Sequence, residues 1–250
     1  MHFDRTELKA YAKLGMKKRK PSVYVVSIIF IIISFALSYI QLELWNFSEL
    51  IVTALWDAPI SEIESQLNNL LYMVLNTSPL VYVLYIVISI VTGVMQAGFM
   101  SYCLKVSRNH ETDMRDIFDG FSFFFKVVWL NILMNILISL WSLLFIVPGI
   151  IAYYRYSQAI FLLFDNPEMS ALDCIRKSKE LTMGHKADLF VLDFSFFGWL
   201  LLGVFIEILI YAPVLSVWLD PYMCITKANY YNMLIGHPLP NYEQQDPMAP

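Results

Sequence analysis

The chain has 250 residues, of which 58% are hydrophobic and 15% charged, with a mean hydropathy of +0.58. That is too apolar for an ordinary soluble domain and makes the chain an integral membrane protein. The formal net charge of −4 says little as a sum, because in a membrane protein the placement of charge along the chain carries the signal.

Met1 to Lys20 holds seven Lys or Arg residues against Asp4 and Glu7. Asp4 and Glu7 stand at capping-box spacing, and Leu8, Tyr11, Ala12 and Gly15 share one helical face. Residues 1–21 therefore read as a basic cytoplasmic amphipathic segment. Its cluster Lys17-Lys18-Arg19-Lys20 contacts anionic headgroups or serves as a plain positive-inside anchor.

Residues 22–235 form one helix-bundle domain, so the fold class is an all-α polytopic membrane bundle of about six spans with short interfacial helices. The first span is 22–42, about twenty residues and enough for roughly 30 Å of hydrocarbon. A signal peptide cleaved near Ala36-Leu37-Ser38 is disfavoured because the apolar run continues past that site. Glu43 to Pro79 has five acidic residues and no Lys, Arg or His, which places it outside, as a structural cap or a binding lid. The second span, 80–104, carries Ser89, Gly93, Ala97 and Ser101 at intervals of four, a stripe for close helix packing. The loop Lys105 to Lys126 is mixed in charge. The third span, 127–147, carries Asn131, Asn135, Ser139 and Ser142 on one face, to form interhelical hydrogen bonds or line a polar pathway.

Pro148 to Trp199 organises the rest. Pro148-Gly149 predicts a tight outer turn into a fourth span, 149–164, ending before Asn166-Pro167. A surface helix capped by Ser170 follows, with Asp173 and Lys177 as an i, i+4 pair. Ala171, Cys174, Ile175, Ser178 and Leu181 form its less polar face, and Arg176 and Lys177 point towards headgroups. Gly184-His185-Lys186 ends it. The fifth span is 189–206 and the sixth 208–234, with Pro213 and Pro221 expected to kink rather than end the helix. Six spans put both termini inside. The tail 236–250 reads as disordered.

The order Pro-Gly-Ile, a Tyr-rich helix, Asn-Pro, Ser-Ala-Leu, Ser-Lys-Glu-Leu, Gly-His-Lys and Phe-x-Leu-Asp-Phe-Ser-Phe-x-Gly-Trp resembles domain-of-unknown-function family 975. Arg5-Thr6-Glu7-Leu8-Lys9, Pro221-Tyr222 and Asn229-Tyr230-Tyr231 extend the resemblance over most of the chain. It implies a multi-span protein of a bacterial cytoplasmic membrane with both termini inside, and it supplies no chemistry.

Arg155, Asp193, Glu207 and Asp220 are ionisable residues within or beside spans, where charge is costly and usually faces the bundle interior. With Asn131 and Asn135 they form the candidate intramembrane polar site. Depth arithmetic pairs Arg155 with Glu207 or Asp220, and leaves Asp193 to Arg176, Lys186 or Ser195. Snorkelling of Arg155 beside its neighbouring tyrosines is the structural alternative. The four histidines have no zinc-site spacing, and the three cysteines (Cys103, Cys174, Cys224) read as reduced packing residues. Phosphate loops, nucleophile elbows and paired catalytic carboxylates are missing, so no enzyme activity, cofactor or nucleic-acid partner is expected. The primary expectation is a scaffold or accessory subunit that engages membrane lipids and another membrane protein or a second copy of itself. Alternatives are a small transporter, channel or lipid-handling protein, and a membrane stress or immunity sensor using the acidic outer segment.

Overall fold

The computed structural model describes residues 4–17, 21–45, 65, 68 and 78–240. Among them every regular element is a helix: α1 (Arg5–Lys17), α2 (Val23–Trp45), α3 (Pro79–Ser107), a 3-10 turn (Met114–Phe118), and the single turn α4 (Asp119–Ser122). α5 (Phe124–Leu144), α6 (Ile146–Tyr156), α7 (Ala159–Asp165), α8 (Ala171–Leu181), α9 (Lys186–Phe194), α10 (Phe197–Ile210) and α11 (Ser216–Leu234) follow. The expected all-α architecture is present. The acidic stretch around Trp56 and the residues Lys18, Arg19 and Lys20 lie outside the described residues.

Three helices, α2, α3 and α5, are long and apolar enough to cross a membrane, and α9 with α10, bent by 41°, makes a fourth if read as one broken span. Length and composition thus do not reach the count of six. The predicted fourth span is not one helix, because it breaks after Tyr156 into α6 and α7. Pro148-Gly149 is not the turn before it, since the chain reverses at Phe145, whose backbone is extended (φ −162°, ψ 155°). Pro148 then sits in the first turn of α6, where its missing N–H costs nothing. The predicted sixth span begins late. α10 ends at Tyr211, a left-handed residue (φ 56°) whose N–H bonds to Glu207 O, so the approach to Pro213 terminates a helix instead of kinking one. Pro221, by contrast, is accommodated inside α11.

The chain divides into two compact units. The smaller, Ile32–Gly93, contains the C-terminal part of α2 and the N-terminal part of α3, with Gln41 Nε2 donating to Ser89 Oγ at 2.7 Å. The larger, Met1–Ile31 with Val94–Pro250, contains everything described below.

In the larger unit, Asp4 caps α1 by accepting the Thr6 N–H at 2.8 Å. Leu8, Ala12, Gly15 and Met16 are buried. That face is the one the spacing marked out, but it packs on protein. Leu8 joins Leu189, Leu192 and Tyr230 in one cluster, and Asn229 Nδ2 donates to Leu8 O at 3.1 Å. Lys9 lies 4.0 Å over the Phe196 ring. Its ammonium is held below its usual pKa, first by burial and then by Lys13 and Arg5.

The small-residue stripe on α3 is used over only half its length. Ala97 and Ser101 are buried, and Ser101 Oγ donates to Asp119 at 3.1 Å. The closest approach is made by Gly98, where a Cβ would stand 1.9 Å from Ile117 O, and by Gly120, where it would stand 2.2 Å from Val94 O. Glycine at both positions lets two backbones touch.

A polar clasp ties the end of α3 to α7 and α11. Arg108 forks onto both oxygens of Asp165 at 2.5 and 2.6 Å, and its Nε donates to Asn232 Oδ1 at 2.8 Å. Tyr231 donates to Asp165 at 2.7 Å, and Asn232 donates to Ser107 at 2.9 Å. Asn232, Tyr231 and Ser107 are all buried, and every polar group in the clasp is partnered.

Candidate functional site

The site is created by the helix break. Between α6 and α7, Ser157 and Gln158 interrupt the hydrogen-bond ladder and expose backbone groups that need new partners. α8 supplies them. Ser178 Oγ accepts the Gln158 N–H at 3.2 Å and donates to Arg155 O at 2.9 Å, with Thr182 Oγ1 3.3 Å from the same carbonyl. α8 is placed to do this by its buried face Ala171, Cys174, Ile175 and Ser178, and by the Ser170 cap that starts it. Those are the apolar-face residues and the cap read from the sequence, with Leu181 half-buried.

The break turns Gln158 and the tyrosines of α6 onto a cavity of about 540 Å³. Its wall is mainly aromatic and thioether, from Phe30, Phe99, Tyr153, Tyr154, Phe161 and three methionines. Into it project Gln96, Asn135, Gln158, Asp193, Asp220 and Lys227. Lys227 Nζ lies 3.1 Å from Asp193 Oδ1, and Tyr154 OH donates to Asp193 Oδ2 at 3.2 Å. Gln158 is 2% exposed, its Nε2 donates to Ser157 Oγ at 2.9 Å, and its Oε1 has no hydrogen-bond partner among the described residues.

The predicted polar residues are thus partly assembled. Asn135, Asp193 and Asp220 line the cavity, whereas Asn131, Arg155 and Glu207 do not. Arg155 forms no ion pair among the described residues, which corrects its pairing with Glu207 or Asp220. Its guanidinium lies 5.9 Å from the Trp141 ring instead. Successive residues on a helix point about 100° apart. With Tyr154 turned to Asp193, Arg155 is turned towards α5. Asp193 meets Lys227 and Tyr154 rather than Arg176, Lys186 or Ser195, because α11 packs alongside α9 where a bare depth argument had no helix to place. Ser195 Oγ donates to Leu192 O at 2.5 Å. Glu207 is exposed on α10. Ser142 packs against Gly149 in the α5–α6 hairpin, where a Cβ on that glycine would meet it at 2.2 Å.

Of the residues assigned to headgroups, Lys17, Arg176 and Lys177 are exposed. Asp173 pairs with Arg176 at 3.4 Å rather than with Lys177, which reaches Glu180 at 3.6 Å. Both are i, i+3 pairs on an exposed face, where rotamer freedom decides between near-equal partners. Cys103, Cys174 and Cys224 are free, the first two buried and the third lining the cavity. Among the described residues no group of three or more His, Cys, Asp or Glu is arranged to hold a metal.

Reading the sequence missed Gln158 and Lys227 in the cavity, and Arg108, Asp165 and Asn232 in the clasp. Lys227 carried a usable signal, a lone cation within a predicted span. Gln158 carried none, because its role depends on Ser178, twenty residues away.

With described residues that are helical in every regular element, several membrane-length apolar helices and a polar, aromatic cavity among them, the chain has the makings of a polytopic membrane protein. Over residues 144–237 it matches the sequence model of the family described as "Protein of unknown function (DUF975)". The resemblance drawn from Pro148 to Trp199 is thereby met where its motifs are densest. No curated protein and no solved structure matches the chain.

Proposed function

We propose that the protein is a non-enzymatic, multi-pass protein of a bacterial cytoplasmic membrane, with both termini inside, that binds a small amphipathic molecule and holds or moves it. This is the transporter or lipid-handling reading. The observation that carries it is the cavity: about 540 Å³, walled by aromatic and apolar groups and supplied with a few inward polar ones. Such dimensions and lining are those of small-molecule sites, and ionisable groups among apolar helices usually mark substrate or ion pathways.

The test is native mass spectrometry of protein gently released from its own membrane. Wild type is expected to retain a small molecule that Met223→Trp, which narrows the cavity, loses while keeping its thermal midpoint. A wild type that is empty, and whose midpoint no amphiphile raises, would overturn the proposal.

The accessory-subunit reading is favoured by a different feature. No residue of the apolar helix α10 is fully buried, and Leu201, Val204, Phe205, Ile208 and Leu209 are exposed, so that side of it is available to a partner helix or to lipid. Cross-linking from cysteines placed on α10 distinguishes them, since a partner gives one discrete adduct and lipid gives none. The sensing alternative rests on the acidic segment outside the described residues.

A further inference from the structure

We propose that the cavity selects a small lipophilic organic cation, held between the Asp220 carboxylate and the aromatic wall, with Gln158 Oε1 accepting from a ligand N–H where there is one. The inference rests on the binding role above and adds the chemical class of the ligand.

Two carboxylates, Asp193 and Asp220, and one cation, Lys227, line the cavity. Lys227 is already committed to Asp193 at 3.1 Å, and Tyr154 adds a second donor to the same carboxylate at 3.2 Å. Asp220 has no ion pair or hydrogen bond among the described residues, and Glu207 is close enough to add to the negative field there. The lining therefore has one carboxylate more than it has cations to neutralise, in a place where an uncompensated charge is expensive.

The neutral groups point the same way. Gln158 lines the cavity and is 2% exposed, and its carbonyl oxygen is a buried acceptor without a hydrogen-bond partner among the described residues. A buried acceptor left unmade costs roughly 1–3 kcal/mol, so a ligand that donates to it gains more than one that cannot. The aromatic share of the lining comes from Phe30, Phe99, Tyr153, Tyr154, Tyr156 and Phe161. Such surfaces attract an ammonium or phosphonium through the ring quadrupole and repel an anion of equal size. An anionic ligand would meet Asp220 with no free cation to receive it, since Lys227 is taken.

The test uses the full chain in detergent and in nanodiscs, with tetraphenylphosphonium and its isosteric anion tetraphenylborate as probes. Equilibrium dialysis is expected to show saturable binding of the cation and none of the anion. Asp220→Asn should weaken the cation by about tenfold, the order of one lost charge contact. Asp220→Glu should restore it, and Asp220→Asn should not lower the thermal midpoint of the empty protein, since it removes an uncompensated charge. 2-Phenylethylammonium, which carries N–H groups, should lose affinity in Gln158→Leu, whereas tetraphenylphosphonium should not.

Should Asp220→Asn fail to fold, the wild-type preference for cation over anion and the Gln158→Leu contrast decide the matter alone. A lipid ammonium headgroup as the native source would appear as competition by phosphatidylethanolamine nanodiscs but not phosphatidylglycerol ones; a free amine would show no such difference. Equal binding of both probes, or a cation affinity indifferent to Asp220, overturns the cation assignment and leaves the cavity a binding site. If neither probe binds and no amphiphile protects the protein, the cation assignment and the binding role fall together.

Discussion

The Arg108 clasp and the cavity are built on the same two helices, α7 and α11, yet they treat polar groups in opposite ways. In the clasp every donor and acceptor is matched: Arg108 spends its fork on Asp165 and its Nε on Asn232, and Tyr231 and Ser107 close the remaining valences. In the cavity, about one to three turns along α11, Lys227 and Asp193 form an ion pair, while Asp220 has no such partner among the described residues and Gln158 Oε1 accepts no hydrogen bond. A satisfied network rigidifies and specifies a structure, and a partly satisfied one leaves costly unpaired groups. On the proposed binding role, the difference separates residues that hold the fold from residues left for a ligand.

The sharpest way to break that comparison is Arg108→Ala. Its side chain and that of Asp165 are only 12% and 15% exposed, so the substitution strands a carboxylate and costs about 3 kcal/mol or more. At about 2–4 °C per kcal/mol, the expected loss in thermal midpoint is roughly 6–12 °C. Gly98→Ala comes next. The new Cβ would overlap the Ile117 carbonyl, a backbone atom that no rotamer change can move aside, and about 1–3 kcal/mol is expected. Urea or thermal unfolding in one detergent compares the two directly.

Lys227→Met should cost less than Arg108→Ala, about 1–2 kcal/mol, because its pair is 28% and 20% exposed and Tyr154 still donates to Asp193. If the two losses were equal, the distinction between clasp and cavity would collapse. Ser178→Ala should cost about 1 kcal/mol by uncapping the break at Gln158, and hydrogen exchange should rise at the Gln158 amide before it rises in α5. Arg176→Ala and Lys177→Ala, on the exposed face of α8, should each change the midpoint by an amount equivalent to less than about 0.5 kcal/mol.

Local signals survive folding well. Ser170 caps α8, Gly184 adopts the left-handed conformation (φ 85°) after it, and Leu8, Ala12 and Gly15 form a buried face. Each depends on residues within a turn or two of itself. The failures have one cause. An apolar run predicts a straight crossing but does not reveal whether its hydrogen-bond ladder is continuous. The breaks at Ser157-Gln158 and Ser195-Phe196 use residues that helices tolerate, so they are invisible without the partners that stabilise them.

The sequence alone establishes that the chain is helical and membrane-compatible, because α2, α3 and α5 are long uninterrupted apolar runs and that property is additive along the chain. It also determined which residue types would be costly inside, and hence that Asp193 and Asp220 needed an account. Which of them meets a cation depends on how the helices pack. The separations involved, 39 residues from Tyr154 to Asp193 and 124 from Arg108 to Asn232, exceed anything periodicity can encode. A charge pair is set by where two helices come to lie, and here the Gly98–Gly120 contact and the Ser178-capped break help to set it.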